Sequence, residues 1–201
     1  MDERERFGDI DIYLFDQILK GRIRPDDRIL DAGCGSGRNL VYLMRAGADL
    51  WAVDADLDAV AEVRNLARRL APALPADRFR VEPVEGMTFQ DADFTVVLSS
   101  AVLHFARDDR HFAEMLTSVW RVLAPGGMLF CRLASSIGLE RRVQRRPDGR
   151  FLLPDGTVRY LVDEAGLLDW TEKLGGQLLD PLKTTVVQDQ RSMTTWVVRK
   201  R

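Results

Sequence analysis

Apolar residues at Ile10, Tyr13, Leu14 and Ile18, with Gln17 on the same face, recur at a helical interval and predict an amphipathic N-terminal helix. It stops near Gly21, before Pro25. Arg28 to Ala32 then reads as a short strand that opens into Gly33-Cys34-Gly35-Ser36-Gly37. Leu40, Leu43 and Met44 predict a helix closed by Gly47, and Leu50 to Val53 a second strand ending at Asp54. Asp56 is placed to cap the next helix, whose face is Val60, Val63, Leu66, Ala67 and Leu70. Phe79 to Glu82 is a third strand. Phe94 to Leu98 is a fourth, without alternation, as expected of a strand buried on both faces. Phe112, Met115, Leu116, Val119 and Leu123 line a helix over 108–123, and a Pro125-Gly126-Gly127 turn leads to a fifth strand over 128–133. Strand and helix alternate throughout residues 28–133, which predicts an α/β fold with a mostly parallel sheet.

The remaining third breaks that rhythm. Two turn signals, Pro147-Asp148-Gly149 and Pro154-Asp155-Gly156, interrupt an arginine-rich stretch, and β-prone segments flank the second turn, so a hairpin is expected within 138–161. A helix follows around 163–174. Two strands, 184–187 and 193–198, joined by a short polar link, should pair antiparallel.

Composition narrows the class. With 201 residues the chain is expected to form one domain, with a helix over 1–24 and the 138–161 hairpin as additions. Lys and Arg number 29 against 31 Asp and Glu, a balance that makes a broad nucleic-acid footprint unexpected. Cys34 and Cys131 cannot staple so long a chain and point to a reducing, cytoplasmic setting. The charged Met1–Arg6 opening does not read as a signal peptide, and no segment approaches the roughly 18 apolar residues of a membrane span. Two histidines and no Cys pair predict no metal site.

The chemistry concentrates at the glycine loop. Glycines let a ligand touch the backbone, and the following helix start offers free N–H groups to an anionic part of it. Asp54, 21 residues after Gly33, stands where an acid accepts both hydroxyls of a ribose. A dinucleotide loop wants a third glycine where this chain has Arg38. Asp31, immediately before the loop, is awkward beside a pyrophosphate but suits a ligand bearing an ammonium and a sulfonium. Tyr13, Tyr42 and Tyr160 are followed four residues on by Gln17, Ala46 and Glu164, so the Tyr-x-x-x-Lys pair of a nicotinamide oxidoreductase is missing.

Residues 28–133 resemble the class I S-adenosylmethionine-dependent methyltransferases. Asp31 to Gly37 is similar to their first motif, and Val53-Asp54 to their ribose-binding acid. Ala101-Val102-Leu103-His104-Phe105 is similar to the wall after strand four, and Leu123 to Leu129 to the turn into strand five. Gly37-Arg38-Asn39 resembles the tellurite-resistance-type subset. The resemblance implies a Rossmann-like three-layer sandwich: a mostly parallel seven-stranded sheet with an antiparallel last strand.

It also implies roles. Asp31 would hold the methionine amino group and Arg38 its carboxylate. Gly33, Cys34 and Gly35 would line the methionyl portion. Asp54 would hold the ribose, Ala55 would lie beside the adenine, and Ser99 would add backbone contacts. The family's adenine-reading Asp falls near Pro83 here, so Glu85 is put forward in its place. His104 is the candidate catalytic residue, as base or donor, against a plain wall residue with a satisfied ring nitrogen. His111 reads as a solvated helix residue. Arg141, Arg142, Arg145, Arg146 and Arg150 form either a solvated run or a flap recruiting an anionic substrate. The expected activity is methyl transfer from S-adenosylmethionine to a small-molecule acceptor. A non-catalytic S-adenosylmethionine-binding module and an RNA or protein methyltransferase remain as alternatives, and the sequence does not specify an oligomeric state.

Overall fold

Two short helices precede the sheet in the computed structural model, which describes residues 2–201; Met1 of the charged opening lies outside the described residues. Asp2 and Glu5 form a reciprocal capping box around α1 (Glu3–Phe7), an element not foreseen from its polar sequence. Asp11 caps α2 (Ile12–Leu19) by accepting from the Tyr13 N–H at 2.9 Å.

Five strands are mutually parallel: β1 (Arg28–Ala32), β2 (Asp49–Asp54), β3 (Phe79–Val81), β4 (Phe94–Ser100) and β5 (Leu123–Ala134). They lie in the order β3-β2-β1-β4-β5. The crossovers run through α3 (Val41–Arg45), α4 (Leu57–Leu70) and α5 (Asp109–Val122). Asp56 and Asp108 cap α4 and α5. The Pro125-Gly126-Gly127 turn proves to be a bulge inside β5, where pairing with β4 jumps from Phe94↔Leu123 to Val96↔Met128.

Side chains of the central strands alternate between two buried faces. Ile29, Val96 and Leu98 pack with Leu14, Leu40, Leu43 and Val60 on one side of the sheet. Leu30, Val97 and Leu129 pack with Phe112, Leu116 and Val119 on the other, where α6 (Glu164–Lys173) adds Leu167. Helices on both faces make the three layers.

The sheet is completed by β11 (Arg191–Lys200), antiparallel to β5. Its outer neighbour is shared by two strands: β9 (Gly176–Leu178) pairs with the end of β11, and β10 (Lys183–Val187) with its start. The sheet thus has eight strands rather than seven, because one edge position is broken across Asp180-Pro181. Between β5 and α6 the expected hairpin forms as β7 (Phe151–Leu152) and β8 (Val158–Arg159), and β6 (Gln144–Arg145) makes it a three-stranded sheet. Among the described residues, no helix is long and apolar enough to cross a membrane.

Candidate active site

β1 and β4 are neighbours from which the chain departs in opposite directions, so a crevice opens beyond their carboxyl ends. The glycine loop fills one side of it. Gly33 has φ 89°, and a Cβ there would lie 2.4 Å from Val102 Cγ2, so only glycine lets the loop pass beneath that side chain. The N–H groups of Gly33 and Cys34 both donate to Val53 O, at 2.8 and 3.0 Å, which ties the loop to β2. Asp54, at the end of β2, accepts from the Gly35 N–H through Oδ2 at 2.8 Å and from the Asp56 N–H through Oδ1 at 3.0 Å. Each carboxylate oxygen keeps a lone pair for a further donor.

These elements enclose a cavity of about 540 Å³. Gly33, Cys34, Gly35, Arg38, Asp54, Ala55 and Glu85 all line it, and Val84, Val102, Phe105 and Met115 supply apolar wall. Asp31 and Ser99 do not line it; they are buried in the adjoining strands, Asp31 at 1% exposure. Neither carboxylate oxygen of Asp31 has a hydrogen-bond partner among the described residues. Burial pushes the Asp31 carboxyl up to about 7; the nearby Arg38 charge opposes this and Asp54 adds to it. Burial, with Asp31 and Asp54, also pushes the Cys34 thiol up, so Cys34 supplies no thiolate near neutral pH.

His111 departs from its expected solvated place. It is 8% exposed and lines this cavity. Its Nδ1 accepts from the Arg107 N–H at 3.1 Å, and its Nε2 lies 3.0 Å from Glu85 Oε1, too oblique for a good hydrogen bond. Burial opposes the Glu85 charge, but the backbone and His111 outweigh it and hold the carboxyl below its usual range.

A second cavity, of about 370 Å³, adjoins the first, and Ala101 lines both. Ala101 has φ 65°, a left-handed backbone uncommon outside glycine, held by its N–H donating to Arg132 O at 2.7 Å. His104 lines the second cavity and not the first. Its Nδ1 accepts from the Ala134 N–H at 3.1 Å, which requires the proton on Nε2. Burial, then the charges of Arg159 and Arg132, lowers its pKa to about 4, so the ring is neutral near pH 7.

Asp11 links the two cavities. It is 4% exposed; its N–H donates to Asn39 Oδ1 at 3.0 Å. Its Oδ2 accepts from Arg132 Nη1 at 3.0 Å and lies 3.6 Å from Arg38 Nη2. One carboxylate at the start of α2 thus joins an arginine of each cavity.

The profile of a family described as "Methyltransferase domain" matches residues 30–131, just over half the chain. The chain belongs to that methyltransferase domain family. S-adenosylmethionine is the cofactor that goes with it. The uncharacterized methyltransferase YodH of Bacillus subtilis is 33% identical over 128 residues, 64% of this chain and 49% of that protein. The tRNA U34 carboxymethyltransferase of Idiomarina loihiensis is 30% identical over 175 residues, 85% of this chain and 52% of that protein. The chain therefore spans about half the length of these curated relatives. The fold is similar to that of Burkholderia thailandensis 1,6-didemethyltoxoflavin-N1-methyltransferase, solved with 1,6-didemethyltoxoflavin and S-adenosylhomocysteine. The TM-score is 0.72 at 19% identity, covering 96% of this chain and 79% of that one.

Within this methyltransferase domain, several site residues went unforeseen. His111 had a readable signal: it lies four residues before Met115, on the buried face of α5. Asp11 and Arg132 had none, since their contact spans 121 residues. The arginine run lines neither cavity: Arg142 pairs with Asp189, and Arg146 and Arg150 face Asp148. Arg132, Arg159 and Arg191 line the second cavity instead. Among the described residues no group of three or more His, Cys, Asp or Glu is placed to hold a metal.

Proposed function

We propose that this domain transfers a methyl group from S-adenosylmethionine to a small-molecule acceptor. The observation that carries the reading is Asp31: a buried carboxylate without a partner, beside a glycine loop whose backbone is open to a ligand. A carboxylate so placed is costly until a cation comes near it, and the ammonium of S-adenosylmethionine is such a cation.

Asp31 would hold that amino group from behind the loop, and Arg38 the carboxylate. Gly33, Cys34 and Gly35 would line the methionyl chain. The free lone pairs of Asp54 suit the two ribose hydroxyls. Ala55 and the apolar wall would flank the adenine, with Glu85, steadied by His111, toward its amino group; Ser99 would fix the end of β4. When bound, S-adenosylmethionine supplies a methyl already activated on sulfonium; the acceptor's lone pair makes the new bond while the old bond's pair stays on sulfur. The protein's part is then chiefly alignment, worth roughly 7–11 kcal/mol at best. His104, with its proton on Nε2, would donate to an acceptor rather than deprotonate it.

A small acceptor fits the 370 Å³ of the second cavity and the chain's near balance of charge. Calorimetry should detect S-adenosylmethionine and S-adenosylhomocysteine but not NAD; the reverse would overturn the proposal. Asp54→Ala should weaken S-adenosylhomocysteine binding at least tenfold, since a charge-assisted hydrogen bond contributes roughly 1.5–3 kcal/mol. Unchanged affinity would remove Asp54 from the site.

A further inference from the structure

We propose that the second cavity is the acceptor pocket and selects a small organic monocarboxylate, gripped by Arg159 and Arg191 with His104 donating from Nε2. The inference rests on the methyl-transfer reading above. Ala101 is the shared wall, so an acceptor lodged here lies next to the cofactor cavity.

The charges lining the pocket favour a monoanion. Arg132 is already matched by Asp11 at 3.0 Å. Arg159 and Arg191 form no ion pair within 4.0 Å among the described residues, though both lie near enough to Asp155 to lower its pKa. Arg159, whose Nη1 donates to Val158 O at 2.7 Å, and Arg191 thus set two guanidinium charges against the one carboxylate of Asp155, leaving a single positive charge to be met. A carboxylate meets it, and guanidinium binds a carboxylate through paired N–H donors. Thr157, Thr185 and Ser192 add hydroxyls to the lining, and the rest of the wall, Ala101, Ala134, Leu153, Val187 and Met193, is apolar. That wall suits a hydrocarbon or aromatic body behind the anionic group. Arg159 is also held in place, stacked 4.9 Å over Phe105, an aromatic residue of the cofactor cavity.

The test pairs acids with their neutral amides. With the full chain saturated by S-adenosylhomocysteine, calorimetry would compare 4-hydroxybenzoate, salicylate and indole-3-acetate with the corresponding primary amides. At least one acid should bind, at least tenfold more tightly than its amide. The Arg159→Gln, Arg191→Gln double variant should lose tenfold or more for that acid while keeping S-adenosylhomocysteine affinity within twofold. Arg191 is exposed and its side chain bonds to nothing else described, so Arg191→Gln alone, with an expected loss of about threefold or more, stands if the double variant fails to fold. Acids binding no better than amides, or not at all, would overturn the pocket's assignment, as would phenyl phosphate outcompeting every acid. Loss of S-adenosylhomocysteine binding by the unaltered protein would instead overturn the methyl-transfer reading, so the two failures are distinguishable.

Discussion

Asp31→Asn should make the protein more stable at pH 8 and a poorer binder of S-adenosylmethionine. The Asp31 carboxyl titrates near 7 in the fold, because burial outweighs the pull of Arg38. In an unfolded chain it titrates near 3.9. Between those values the folded protein keeps a proton that the unfolded chain releases, so stability falls as pH rises from about 4 to about 7 and levels off above. A gap of that size is on the order of 4 kcal/mol. An amide of the same shape carries no charge, yet its buried polar atoms remain unpaired at a cost of about 1–3 kcal/mol. The expected net gain is about 1–3 kcal/mol at pH 8, with the pH slope abolished. Binding should move oppositely: the cation needs the ionised carboxylate, so affinity at pH 6 should be roughly tenfold below that at pH 8 and flat in the variant. Denaturant melts at pH 5 and 8, with titrations at pH 6 and 8, read both effects. A variant less stable at pH 8 than the parent would contradict the account of Asp31 as a buried, uncompensated charge.

Asp11→Ala should be the most damaging single change in the N-terminal segment. It removes the cap of α2 and the partner of Arg132, whose side chain is 20% exposed and whose Nε is already unpartnered. Breaking one side of a largely buried pair costs about 3–5 kcal/mol, and a lost cap alone about 1. For a chain of this size the expected fall in Tm is about 10 °C. Asp11→Asn keeps the cap and removes the charge, so the difference between the two variants separates the terms. A fall in Tm below about 2 °C for Asp11→Ala would show that α2 is not anchored through this residue.

The parts of the site that could be read in advance are those made by adjacent residues. Asp31 to Gly37 and Asp54 declare themselves because strand, glycine turn and helix follow within one βαβ unit, where local conformation and ligand geometry have the same requirements. The cap at Asp56 was legible for the same reason. What escaped was made by distant partners. Arg132 sits in a strand whose sequence reads only as buried, and its value arises from Asp11 and the neighbouring cavity. The eighth strand escaped because β9 is three residues long, too short for a period to show, although Pro181 marked the break. The arginine run, open to reading as a solvated face or a flap, lines neither cavity: density of charge along the chain is no guide to which guanidinium groups face one.

The attachment of α2 also bears on the order of assembly. Its N-terminus is held by Arg132 through Asp11. At its other end, Gln17, Lys20 and Arg22 converge on Asp180, and Tyr13 bonds Thr185 at 2.7 Å. Every one of these partners lies more than a hundred residues further along. Closing loops of that length is slow and is rewarded only after the sheet exists to receive the helix. During synthesis at about 5–20 residues per second, α2 emerges many seconds before β10 does. This helix is made early and docks late, so the Asp11 link between the arginines of the two cavities forms only when nearly all of the sheet is in place.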